Sequence, residues 1–353
     1  MMLTKSRPNS FIGQVWKRLL APEAYAFSDA GVGEAPLPGE RRPTFDHTIH
    51  RSPTASFETI VPTPFGNQLI AEFAEAAIEG ENLGQGPQPD LLTVSFSSLD
   101  ACGHRFGPYS HEIQDVMLRL DRQLAEFFAY LDKKIGLANV TIVLTADHGV
   151  APLPEFATSQ GLSSQRLNEE RMVTALLATV VEKYGPGKYF RTSDIVEGNL
   201  YFDHDVLREK SIVPNDLAEF IREWAFETGV VHACYTREQL LDGRAPGLIG
   251  QKVLNGYNAE RSGDLVFVYK PYVVPTGSKT GTTHGSPYEY DSHVPVFFYG
   301  AAFKPGRYFE DFAITDIAPT LSAALGVNKP PGSIGRTFTG VLRNTTPAKL
   351  TAH

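Results

Sequence analysis

Three short stretches of this chain put carboxylates and imidazoles where they can meet a metal ion. Asp100 and His104 stand four residues apart in SFSSLDACGHRFGP, directly after the apolar run LLTVSFS. Asp147 and His148 are adjacent in TADHG, after VTIVLT. His284 opens HGSPYEYDSH, and His293 closes it before VPVFFYG. A carboxylate oxygen and an imidazole nitrogen both reach zinc at about 2.0–2.2 Å. The Asp100 and His104 stretch reads as a loop, with Gly103 and Gly107 giving it freedom to fold round a metal. Adjacent residues such as Asp147 and His148 point to opposite faces of an extended chain, so they serve two metals or need a turn to serve one. Taken singly, each stretch has a plainer explanation: a turn carboxylate, a surface histidine, a hydrogen-bonded core histidine. Together, at the ends of several apolar runs far apart in sequence, they are what a metal hydrolase needs to converge ligands on one point.

The elements that would position these residues can be read from hydrophobic spacing. Residues 68–80 carry Leu69, Phe73, Ala76 and Ala77 at helical intervals. Residues 91–97 and 140–145 read as buried strands. Between them, Ser110 is placed to cap an amphipathic helix running to about Ile135, with Val116, Leu120, Leu124, Phe127 and Leu131 on its apolar face. A strand, helix, strand order predicts an α/β fold: a three-layer α/β/α arrangement with a mostly parallel central sheet. Residues 160–275 alternate helical runs (about 165–184 and 214–227) with short strand-like runs, which predicts a small α+β insertion. Residues 294–299 resume the buried-strand pattern, and 315–325 form a closing helix with Thr315 as its candidate cap. Residues 1–60, rich in proline, glycine and charge, read as an irregular N-terminal segment, and 61–353 as the metal-binding core.

Composition narrows the function. A net charge of −8 and a pI near 5.7 argue against a nucleic-acid partner, which calls for a basic face. No window approaches the ~20 apolar residues of a membrane span. Cys102 and Cys234 are too few for a disulfide framework. The first twenty residues have no uninterrupted apolar run, so they do not read as a secretory signal. On this reading the chain stays inside the cell or its natural start lies upstream.

The elements SLDACGH, TADHG and THG, in this order, resemble the alkaline phosphatase superfamily, and TDIAPTLSAALGV resembles the helix that ends its core. PTPFGNQLIAEFA, SFSSLDACGHRFGP and THGSPYEYDSHVPVFFYG are similar to the monomeric, phosphate-irrepressible bacterial alkaline phosphatases, which are type I phosphodiesterase/nucleotide pyrophosphatase-like. The resemblance runs from about Pro43 to the end. It implies a monomer, periplasmic or secreted, that hydrolyses small phosphate esters with two zinc ions. One zinc would be held by Asp100, His104 and His284, the other by Asp147 and His148. His293 ranks next, as a group orienting a ligand or as a strand-end hydrogen bonder. Family members attack the ester with a Thr or Ser nucleophile set between zinc ions about 3.5–4 Å apart.

The N-terminal part departs from that pattern. The family has an apolar strand ending in Asp, then a Thr or Ser at a helix start, and nothing before Pro64 fits. Asp29 and Asp46 follow no strand, while Thr54 and Ser56 sit in a proline-flanked loop. The chain is therefore expected to lack the nucleophile. Three readings stand: a fragment of a zinc-dependent phosphatase, an inactive zinc-binding pseudoenzyme, or a phosphodiesterase or sulfatase.

Overall fold

The amphipathic run after Ser110 folds as the helix His111–Lys134. Ser110 Oγ accepts the Ile113 N–H at 3.2 Å, and the helix closes on Gly136, at φ 86°, whose N–H reaches back to Leu131 O. The computed structural model describes residues 7–51 and 58–343. Within them the apolar run near residue 70 is the helix Pro64–Gly80, and the later helical runs become Glu169–Tyr184 and Pro214–Glu227. The closing helix begins at Ile317, with Asp316 rather than Thr315 at its cap position.

The α/β class expected from the element order is the one adopted. The strand pairing differs in detail from a mostly parallel central sheet. Ile142–Thr145 runs antiparallel to Val296–Tyr299, with Ile142 opposite Tyr299. Asn199–Leu200, Leu265–Tyr269 and Val231–Thr236 make a three-stranded antiparallel sheet. Among the described residues only Gln165–Leu167 and Val273–Pro275 pair in parallel. Residues 91–97 were expected as a buried strand, yet they take no ladder partner among the described residues, and Leu91 is 75% exposed. Apolar, β-branched composition makes a residue run fit for a sheet, but it does not supply the neighbouring strand.

Contacts divide the chain into two compact units: residues 1–73, 94–121 and 148–293, and residues 74–93, 122–147 and 294–353. The first unit has two apolar cores. One gathers Leu176, Val180, Leu200, Leu217, Ile221, Leu265 and Phe267 between the helices and the three-stranded sheet. The other packs Phe11, Trp16, Leu37, Ile49 and Ile60 against Cys102, Phe106 and Val116. The N-terminal stretch thus has little regular structure but a dense interior. Both cysteines are free and buried, one in each core. In the second unit Phe297 and Tyr299 are exposed along one face of their strand, and Phe309 is almost wholly exposed. No helix among the described residues is long and apolar enough to cross a membrane.

Beneath the N-terminal stretch lies a buried polar network. Asp115 accepts from Trp16 Nε1 at 2.7 Å, Tyr25 Oη at 2.5 Å and Arg119 Nε at 2.5 Å. His47 is held between Glu40 at 2.7 Å and Glu112 at 3.0 Å. Burial disfavours a charged ring there, but the two carboxylates outweigh it and raise the His47 pKa. Glu34 has no such partner. Burial, with Glu112 and Asp29 nearby, pushes its carboxyl up to about 9. A carboxyl whose folded pKa lies above its unfolded one gives stability at low pH that is lost as pH rises through the folded value. We expect Glu34→Gln to raise stability at pH 8 by about 1–3 kcal/mol, and by less at pH 5. Urea melts at the two pH values check this, and a variant less stable at pH 8 would contradict it.

Candidate metal centre

Asp100 and His104 do not lie on a loop. They belong to the helix Ser98–Phe106, one turn apart, so both side chains leave the same helical face. Gly103 sits inside that helix. Gly107, at φ 77°, ends it, and its N–H bonds to Gly103 O at 2.8 Å.

His284 comes to this face from a distant loop, and main-chain bonds hold it there. Thr282 N–H donates to His104 O at 2.8 Å, and His104 Nδ1 stands 2.9 Å from Thr282 O. A carbonyl only accepts, so the His104 proton resides on Nδ1, leaving the Nε2 lone pair directed outward. Ala151 N–H donates to Thr283 O, and Gly149 N–H to Asp291 O at 2.7 Å. Asp291 Oδ2 in turn accepts the Ser286 N–H at 2.7 Å. The turn after His148 and the loop after His284 are therefore tied together by one residue, Asp291. A side chain at Gly149 would place its Cβ 2.2 Å from Tyr290 O, so this approach requires glycine. Asp291 lies inside the quoted motif but is not legible there: a carboxylate in a polar loop shows its role only once its partners are seen.

Three histidines converge on Asp100 Oδ1. His104 Nε2 lies 3.4 Å from it, His284 Nε2 3.6 Å and His148 Nε2 4.0 Å. The rings of His148 and His284 stack with centroids 3.4 Å apart. His148 Nδ1 is 2.8 Å from Gly149 O, which again puts the proton on Nδ1. Burial first, and then the two neighbouring histidines, lower the His284 pKa and favour its neutral, ligating form. Donor atoms of Asp100, His104 and His284 all lie within 4.8 Å of one another. Ligands on one tetrahedral zinc stand about 3.3–3.6 Å apart. The two distances from Asp100 to His104 and His284 match that edge, so the residues present fit the metal.

The other expected residues are placed differently. Asp147 is exposed and belongs to the second unit. His293 is exposed and ends the short helix Glu289–Ser292, its N–H bonded to Glu289 O at 2.9 Å. Thr54 and Ser56 lie outside the described residues.

Comparison with known proteins places the chain in a family. The family described as type I phosphodiesterase / nucleotide pyrophosphatase matches residues 25–291. The chain is 35% identical to alkaline phosphatase PafA of Elizabethkingia meningoseptica over 342 residues, covering 96% of this chain and 62% of that protein. It is 34% identical to alkaline phosphatase PhoV of Synechococcus elongatus, covering 95% of this chain and 60% of that one. A crystal structure of PafA superposes with a TM-score of 0.88 at 33% identity, over 96% of this chain and 65% of that one. The chain thus spans under two thirds of the length of these relatives. With fold and sequence in agreement, the chain belongs to the type I phosphodiesterase/nucleotide pyrophosphatase family.

Proposed function

We propose that this chain is the metal-binding part of a zinc-dependent phosphate-ester hydrolase of the alkaline phosphatase type, acting on small phosphomonoesters. The observation that carries the reading is the donor triangle of Asp100, His104 and His284, with edges of 3.4 and 3.6 Å about Asp100 Oδ1. These residues would hold one zinc, and Asp147 with His148 would contribute to a second. When bound, zinc supplies a Lewis acid for the phosphoryl oxygens of the ester. The protein's own part is to favour the neutral form of His284 by burial, and to hold the carriers of the ligands in register through Asp291 and Thr282. The nucleophile is not assigned among the described residues.

The test is to join this chain to the part of PafA that lies outside the match and to follow hydrolysis of an aryl phosphate. Zinc-dependent turnover that His284→Ala or Asp147→Ala removes supports the reading. Turnover indifferent to both substitutions and to chelators would sink it.

The Gly149 approach gives a second check that does not depend on turnover. A methyl group there collides with main chain rather than with a pliable side-chain tip. Gly149→Ala should therefore displace the His148 turn from Asp291 and weaken zinc binding by about 10–100-fold, the usual range for losing a ligand's support. Chelator competition measures it, and an unchanged affinity would mean that the His148 turn does not serve the metal.

A further inference from the structure

Beside His284 the first unit opens a cleft of about 150 Å³, whose lining includes the loop Thr283–Asp291, the start of the helix Glu169–Tyr184 and the strand Leu265–Tyr269. Its charged lining is mostly acidic. Glu169 accepts a hydrogen bond from Tyr269 Oη at 2.6 Å, yet burial, with Asp194 and Glu197 adding to it, pushes its carboxyl up to about 7. Its negative charge is thus short of a positive partner. Glu197 takes the left-handed conformation at φ 48°, uncommon for a residue with a side chain. Its Oε2 stands 3.7 Å from where a side chain at Gly285 would begin, next to the metal ligand His284. Asp291 is only 3% exposed, lines the cleft, and has no hydrogen-bond partner for Oδ1. Against these three carboxylates the lining offers one cation, the exposed Lys270.

The remaining lining is aromatic. Tyr288 Oη donates to Tyr269 O at 2.6 Å, and Tyr290 Oη accepts the Tyr272 N–H at 3.2 Å. With their hydroxyls engaged by the protein, Tyr269, Tyr288 and Tyr290 have their rings left to offer a ligand. A phosphoryl group, itself anionic, is repelled by such a lining. A cation is attracted twice, by carboxylates and by ring faces.

We propose that this cleft receives the alcohol part of the phosphate ester and selects alcohols that carry a positively charged amine, primary or quaternary. The proposal rests on the phosphate-ester reading above, since it places the cleft beside the metal that would hold the phosphoryl oxygens.

The experiment titrates the full 353-residue chain, zinc-loaded and zinc-free, with choline and with its neutral carbon isostere dimethylbutanol, followed by NMR. Choline should bind at least about tenfold tighter than the isostere, as expected for a desolvated cation on rings and carboxylates. Glu197→Gln should weaken choline by about fivefold and Glu197→Lys by more. Glu197 is exposed, so both variants are expected to fold. Zinc affinity, measured on the same samples by chelator competition, separates the two ideas. Equal binding of choline and isostere, or choline binding indifferent to Glu197→Lys, overturns the cleft proposal. Intact choline discrimination in a chain that fails to bind zinc supports the cleft and overturns the metal reading instead.

Discussion

Loaded with zinc, the 353-residue chain should hydrolyse an aryl phosphate no faster than free zinc does in the same buffer. Phosphoryl transfer in this family's manner needs a nucleophile set by one metal while the other holds a substrate oxygen, and removing such a nucleophile costs on the order of 10⁶ in rate. The residues brought together here are candidate ligands: one carboxylate and three imidazoles, two of which, His104 and His148, turn Nδ1 toward a main-chain carbonyl. They can hold an ester near a Lewis acid, but a carboxylate and imidazoles spent on metals cannot also attack phosphorus. Nucleophile, metals and phosphate-binding cations act as a unit, so a metal centre without the other parts retains little of the rate. Thr54→Ala and Ser56→Ala should leave the background unchanged. Robust turnover by the chain itself, abolished by either substitution, would identify the nucleophile in the 52–57 segment and overturn this expectation.

The reach of sequence reasoning varied with the physics behind each element. The helices Pro64–Gly80, His111–Lys134 and Pro214–Glu227 were legible because each is a long amphipathic run with a capping residue or proline at its start. The carrier of Asp100 and His104 was not. Two glycines nearby suggested a loop, yet Gly103 packs within the helix, and only Gly107 takes a left-handed φ. Glycine permits such a conformation without requiring it. The ligand types were visible in the motifs, whereas the stacking of His148 on His284 depends on the tie between Gly149 and Asp291, bonds with no sequence signature. Residues 91–97 show the converse limit. Their composition suits a buried strand, but burial depends on neighbours that composition does not name.

The central claim is that Asp100, His104 and His284 form one zinc site. Two separate constraints hold the three. Asp100 and His104 share a helical turn, while His284 arrives from a loop fastened to His104 through Thr282. Loss of Asp100 together with His284 removes the carboxylate at the centre of the cluster and two of the three proposed protein ligands of this zinc. Zinc affinity should then fall by on the order of 100-fold or more, beyond the effect of disturbing a ligand's support alone. Fluorescence or circular dichroism melts of the zinc-free proteins verify that the variant folds. The decisive measurement is calorimetric titration of zinc into the wild-type chain and into the Asp100→Ala, His284→Ala double variant. The account predicts a tight site in the wild type that the double variant lacks, and zinc binding no tighter in the wild type than in the variant would contradict it.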